Sequence, residues 1–191
     1  MPNKPLINSN HLPYHVTNRT IDQGPFPIEL SDVWNLIQES LRESSCKHPI
    51  EIISFVLMSN HYHMILITPE RNLEEFISDF NMRVESKIVD KVGLSTRVFE
   101  NHFRWQLIQT QQYFMNCYKY VYQNPVRAGL VKYCEDYPFS TIRSLVRNTK
   151  FSVQVHDRYG FKDEFGLRWV NRKVSEEEVG WEERRFRKEE F

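Results

Sequence analysis

Hydrophobic and polar positions divide the chain into a regular succession of elements. Residues 1–12 are rich in Pro and Asn and read as an irregular lead-in. Tyr14-His15-Val16-Thr17-Asn18-Arg19 sets β-branched and aromatic residues at alternate positions, which predicts a first strand. Beyond Pro25 and Pro27, Leu30, Val33, Ile37 and Leu41 recur at helical spacing, with Ser31 or Asp32 placed to cap the helix. Ile50 to Met58 and His61 to Ile67 read as two strands joined by the two-residue turn Ser59-Asn60. Both faces of this hairpin are apolar, so it is expected at the centre of a sheet.

The second half repeats the rhythm. Leu73, Phe76, Phe80, Val84 and Ile88 form one stripe of a helix over residues 72–89. A loop around Gly93 leads into an extended stretch, Arg97 to Gln109. Gln111 to Gln123 predicts an aromatic-rich helix that Asn124-Pro125 should stop, because proline disfavours helix in the residue before it. Ser140 and Thr141 can cap a last short helix through Val146. From about residue 151 the pattern is less regular, and Ser175 to Phe191 is dominated by Glu and Arg, which predicts an exposed helix or a disordered tail. The order of elements predicts an α+β fold: an antiparallel sheet with helices on one face.

Composition changes this picture in two places. The 191 residues suffice for one domain with its own core, and 40% hydrophobic with 26% charged residues is ordinary globular composition. The run Ile52 to Leu57, broken by Ser54, is too short to span a bilayer, and Met1-Pro2-Asn3-Lys4-Pro5 lacks the apolar core of a secretion signal. Three widely spaced cysteines, Cys46, Cys117 and Cys134, suggest neither a disulfide framework nor a metal clip, and a cytoplasmic protein is expected. Net charge is zero, which on its face argues against a phosphate-rich partner. The zero is a cancellation: residues 1–100 carry net −4, residues 101–150 carry net +5, and residues 151–191 carry net −1. The basic block is a candidate anion-facing surface.

Two constellations could carry chemistry. His61 and His63, two apart on a strand, share a face and lie about 7 Å apart along it, close enough to converge on one cation. Tyr120 and Asn124, four apart, share a helix face, so a phenol and an amide could address one site. A deprotonated phenol is a capable nucleophile. Periodicity does not distinguish Tyr120 from Tyr113, Tyr118 and Tyr122, all of which could equally pack a helix against the sheet.

Three segments taken together narrow the choice: Tyr14-His15-Val16-Thr17, then Phe55-Val56-Leu57-Met58-Ser59-Asn60-His61-Tyr62-His63, then residues 120–130 from Tyr120 through Asn124-Pro125-Val126-Arg127-Ala128-Gly129-Leu130. In that order they resemble the single-tyrosine HUH transposases (transposase IS200-like proteins), and above all the REP-associated tyrosine transposases. Glu135-Asp136-Tyr137-Pro138-Phe139-Ser140-Thr141 extends the resemblance, which covers residues 10–148 and leaves 149–191 as an extension of unknown role. The resemblance implies a ferredoxin-like antiparallel sheet of HUH-nuclease type. It implies a divalent metal, Mg²⁺ or Mn²⁺, on His61 and His63, with Asn124 at the position where related enzymes place a Gln ligand, and Tyr120 as nucleophile. Mn²⁺ tolerates imidazole more readily than Mg²⁺ does.

The implied reaction is cleavage and rejoining of single-stranded, hairpin-containing DNA through a 5′-phosphotyrosine intermediate. The alternative is a domesticated, catalytically idle DNA- or RNA-hairpin binder. An unrelated paired-histidine phosphoesterase is set aside, because it needs two His-x-[Ser/Thr] motifs and Met64-Ile65 follows His63. Candidate DNA contacts are Arg19, Arg104, Trp105, Arg127, Lys132, Arg143 and Arg147, which mix charge with one large aromatic as single-strand binders do. A monomer or a homodimer is compatible with the resemblance. Thr20 stands where many members carry Gly after the first-strand Arg, and this departure leaves open how DNA is selected.

Overall fold

A computed structural model describes residues 6–93, 97–147, 149–157 and 164–172. The predicted tail from Ser175 to Phe191 lies outside the described residues. The elements are β1 (Tyr14–Arg19), α1 (Leu30–Lys47), β2 (Glu51–Leu57), β3 (His61–Ile67), α2 (Leu73–Val92), β4 (Arg104–Leu107), α3 (Gln111–Arg127), α4 (Thr141–Arg147) and α5 (Glu164–Asn171). The strands form one antiparallel sheet in the order β2-β3-β1-β4. The α+β class read from the element order is the one found.

Alternation on the central strands divides the core in two. Tyr14, Val16, Tyr62, Met64 and Leu66 point to one face and pack with Val33, Ile37 and Leu41 of α1 and Phe76, Phe80, Val84 and Ile88 of α2. Ile65, Ile67, Ile53 and Val56 point to the other and pack with Tyr113, Phe114, Cys117, Tyr118, Val121 and Tyr122 of α3. A bulge in β2 between Ile52 and Ser54 shifts the register, and alternation on either side of it supplies apolar side chains to both layers. The helix layer expected on one face is α1 with α2. The opposite face is also covered, by α3, α4 and α5, because the strands are apolar on that side too.

The hairpin is less central than its composition predicts. β3 is interior, whereas β2 is an edge strand in the ladder. Later segments shield that edge. Leu57 N donates to Phe139 O at 2.9 Å, Phe55 N donates to Thr141 Oγ1 at 2.9 Å, and His156 N donates to Ile52 O at 2.7 Å. Cover of this kind satisfies backbone groups that an open edge would leave to a second chain.

The helix that bears Tyr120 also runs longer than predicted. Pro125 lies inside α3, which continues to Arg127. Proline removes the N–H that Val121 O would accept. Asn124 Nδ2 compensates, donating to Tyr120 O at 3.0 Å and reaching Val121 O at 3.5 Å. The chain then leaves the helix through Gly129 at φ 71°.

Candidate active site

Register alone assembles one side of the site. β1 pairs with β3 so that Arg19 faces His61, Thr17 faces His63 and His15 faces Ile65. β4 pairs with β1 so that Arg104 faces Thr17 and Gln106 faces His15. Period two then directs His15, Arg19, His61, His63 and Arg104 to the face that α3 covers. α3 brings Tyr120 to the same place: its ring centroid is 5.5 Å from that of His63 and 6.2 Å from that of His15. The rings of His61 and His63 lie 5.0 Å apart.

Tyr120 differs from its neighbours in orientation. Tyr118 and Tyr122 are wholly buried, and Tyr122 engages Thr141 Oγ1 at 3.0 Å. Tyr113 belongs to the same apolar layer. Tyr120 is the helix tyrosine turned toward the histidines, and the guanidinium of Arg127 lies 5.3 Å from its ring centroid.

Both strand histidines are kept neutral. Burial, with the charge of Arg19, lowers His61 to about 4. Burial, with His61, His15 and Arg19 around it, holds His63 well below the ordinary histidine range. Each ring has its Nδ1 engaged: His61 with Asn60 Oδ1 at 2.7 Å, His63 with His15 Nε2 at 3.0 Å. That leaves Nε2 as the atom each ring can offer to a cation, as ligating imidazoles do. Among the described residues no three His, Cys, Asp or Glu side chains converge as a metal site. A cation here would depend on two imidazoles, the Asn124 amide and oxygens of a bound phosphate. The donor set fits a divalent ion that accepts nitrogen.

The remaining candidates separate by position. Arg19 and Arg104 stand on the site's face of the sheet, and Arg127 stands over Tyr120. Lys132 lies over the Tyr133 ring at 5.1 Å, in the loop after α3. Arg143 donates to Asp136 O at 3.3 Å, and Arg147 pairs with Asp136 at 3.4 Å. Both of these are exposed, weak contacts. Trp105 is placed elsewhere: it points to the α1–α2 face, packs edge-on against Tyr14 at 6.2 Å and joins that core. The alternation that brings Arg104 and Gln106 to the histidines turns Trp105 away from them. The basic block also loses a member, because Lys119 is buried and sits 5.6 Å from the Trp169 ring of α5.

One residue of the site was not singled out in the sequence. His15 lies in the first-strand motif, and period two from Arg19 through Thr17 would have placed it on the histidine face. It is 3% exposed, and its ring lies nearly parallel to that of His63, with centroids 5.2 Å apart.

A four-stranded antiparallel sheet with a His-x-His strand facing a tyrosine-bearing helix fits the fold that the resemblance to the single-tyrosine HUH transposases implies. In sequence, the chain is similar to the REP-associated tyrosine transposase of Escherichia coli (strain K12). The two are 26% identical over 115 residues, which span 59% of this chain and 66% of that protein. A relative from Haemophilus influenzae carries the same name provisionally and is 23% identical over 151 residues, 70% of this chain and 81% of its own. In fold, the chain is similar to a solved REP-associated tyrosine transposase bound to a REP hairpin, with TM-score 0.66 and 18% identity over 92% of this chain and 99% of that one. No family model matches the chain. Among the described residues, no helix is long and apolar enough to cross a membrane.

Proposed function

We propose that this protein is a transposase-like single-strand endonuclease and strand transferase that acts on hairpin-containing DNA. The observation that carries the reading is the approach of Tyr120 to the His61–His63 pair across the α3–sheet interface. The named relatives, and the solved neighbour seated on a REP hairpin, support hairpin DNA as the substrate class.

His61 and His63 through Nε2, with Asn124 as a third donor, are the residues that would hold Mg²⁺ or Mn²⁺. When bound, the ion supplies Lewis-acid polarisation of the scissile phosphate. Tyr120 Oη attacks phosphorus, the P–O3′ bond breaks, and the phenolic proton ends on the departing 3′-hydroxyl. The product is a 5′-phosphotyrosine, and a second 3′-hydroxyl can reverse the step and join strands without ATP. Arg19, Arg104 and Arg127 surround this point with cationic charge that positions phosphate and offsets charge as it develops. Lys132, Arg143 and Arg147 extend the same polarity along the outer part of the domain, where a phosphate can displace the exposed Asp136 contacts.

Incubating the protein with labelled hairpin DNA and Mn²⁺, then resolving it on a denaturing gel, tests the reading. The expected result is a covalent protein–DNA band that Tyr120→Phe abolishes while leaving hairpin binding intact. Cleavage by Tyr120→Phe would overturn the assignment of the nucleophile. No band from the wild type across metals and hairpins would favour a catalytically idle hairpin binder.

A further inference from the structure

We propose that His15 is a positioning residue: its Nε2 accepts the Nδ1–H of His63 and thereby keeps the Nε2 lone pair of His63 bare, beside that of His61. The proposal rests on reading His61 and His63 as a ligand pair, and concerns how the fold prepares them.

The comparison within the site is informative. His61 is committed by Asn60, whose Oδ1 lies 2.7 Å from His61 Nδ1. The orientation of that amide is fixed on its other side, where Asn60 Nδ2 donates to Gln23 O at 2.6 Å. A carboxamide oxygen only accepts, so His61 carries its proton on Nδ1 and leaves Nε2 bare. His63 has no amide or carboxylate in that role. Its Nδ1 meets another imidazole nitrogen, His15 Nε2, at 3.0 Å, and both residues are buried.

Two proton placements satisfy one N···N contact. If His15 donates, the proton of His63 sits on Nε2 and closes that nitrogen to a cation. If His15 accepts, both strand histidines present bare Nε2 atoms on one face. No proton is gained or lost between the two; only its location changes. The accepting arrangement gives His63 what Asn60 gives His61, an acceptor behind the ring that fixes tautomer and orientation. Antiparallel pairing makes the contact possible. His63 faces Thr17, and His15 is the diagonal neighbour two residues along β1, within reach of a long side chain. His15 also meets the Tyr120 ring nearly edge-on, at 81°, so one side chain touches both the proposed ligand and the proposed nucleophile.

Nitrogen-15 NMR of the metal-free full-length chain reads the His63 tautomer directly, with His63→Gln assigning the signal. The expected tautomer is Nδ1–H; His63 protonated on Nε2 overturns the role of His15. Two variants then separate positioning from packing. His15→Gln places an accepting Oε1 near the site of Nε2, whereas His15→Leu fills the volume without an acceptor. Mn²⁺ affinity, read by electron paramagnetic resonance, is expected to fall about 10–100-fold in His15→Leu, and His15→Gln is expected to recover most of it. Equal losses in the two variants overturn the proposal, and if His15→Leu does not fold, the wild-type tautomer decides. A wild type that binds no Mn²⁺ sinks the ligand reading itself, an outcome distinct from a wrong tautomer at His63.

Discussion

The guanidinium of Arg127 lies over the ring of Tyr120, 5.3 Å from its centroid and two helical turns further along α3. A cation on a phenol face holds the ring by its quadrupole. In the proposed function, the same charge would meet a phosphate brought to the phenol. Arg127→Ala is therefore expected to slow formation of the covalent DNA adduct by roughly tenfold, within the range set by a cation–π contact of about 0.5–2 kcal/mol. Arg127→Lys should retain part of the rate, since the charge survives and the planar guanidinium does not. The rate is measured at saturating hairpin DNA, so that weaker binding does not enter. An adduct rate in Arg127→Ala equal to that of the wild type would show that this contact plays no part in the reaction.

Trp105 has the opposite status. Its ring packs on Tyr14 in the α1–α2 core, on the face of the sheet away from His61 and His63. Trp105→Ala is expected to lower stability by about 2 kcal/mol, less than the ~3–5 kcal/mol typical of a fully buried ring because this one is only partly covered. Urea unfolding measures that loss. Hairpin affinity per folded molecule should stay unchanged, and a large drop in affinity would restore Trp105 as a base-stacking residue.

The limits of sequence reading follow from the same contrasts. β3 is found with the bounds that alternation and the Ser59-Asn60 turn predict, because both signals are local. Which face a strand residue takes was equally local, and it brings His61 and His63 together as expected. What periodicity could not supply is the rotation of α3 about its axis. Tyr118 and Tyr122 point into the core and Tyr120 toward the histidines, and only the packing of Ile53, Val56 and Ile65 against the helix decides this. The continuation of α3 through Pro125 was hidden for a related reason: a side chain, Asn124, reaches Val121 O at 3.5 Å where the backbone donor is lost. The docking of α5 depends on contacts distant in sequence, with Gln123 Nε2 donating to Val170 O at 2.7 Å and Arg172 O at 2.9 Å. Composition of the tail carries no trace of them.

Acid should unfold the protein partly through Asp79. This carboxylate is 6% exposed and accepts from Ser44 Oγ at 2.8 Å, Arg83 Nε at 2.6 Å and Lys47 Nζ at 3.1 Å. Burial alone would raise its pKa, but the hydrogen bonds from Arg83, Ser44 and Lys47 outweigh burial and hold it well below the ordinary carboxylate range. A depressed folded pKa contributes stability that is present above the unfolded value, about 4, and is lost as pH falls toward the folded one. The urea midpoint is expected to be level near neutrality and to fall below about pH 4. Asp79→Asn should have a lower midpoint at neutral pH and a shallower acid limb. Parallel acid limbs in the two proteins would remove Asp79 from the account.

Asn124 supports the helix and, in the proposed function, also joins the cation; a pair of substitutions separates the two. Its Nδ2 donates to Tyr120 O at 3.0 Å and reaches Val121 O, the carbonyl that Pro125 cannot serve, at 3.5 Å. Its Oδ1 remains the atom that could join His61 and His63 around a cation. Asn124→Asp keeps an oxygen, adds negative charge and removes the donor; Asn124→Ala removes both. If both roles hold, Asn124→Asp should bind Mn²⁺ at least as tightly as the wild type, because hard cations prefer carboxylate oxygen. The same variant should lose about 1–2 kcal/mol of stability for the missing hydrogen bond. Asn124→Ala should lose that stability and weaken Mn²⁺ binding as well. Calorimetric unfolding and Mn²⁺ titration on the same samples give both quantities. Equal Mn²⁺ affinity in all three proteins would leave Asn124 as a helix-supporting residue only, with His61, His63 and the phosphate to complete the cation's shell.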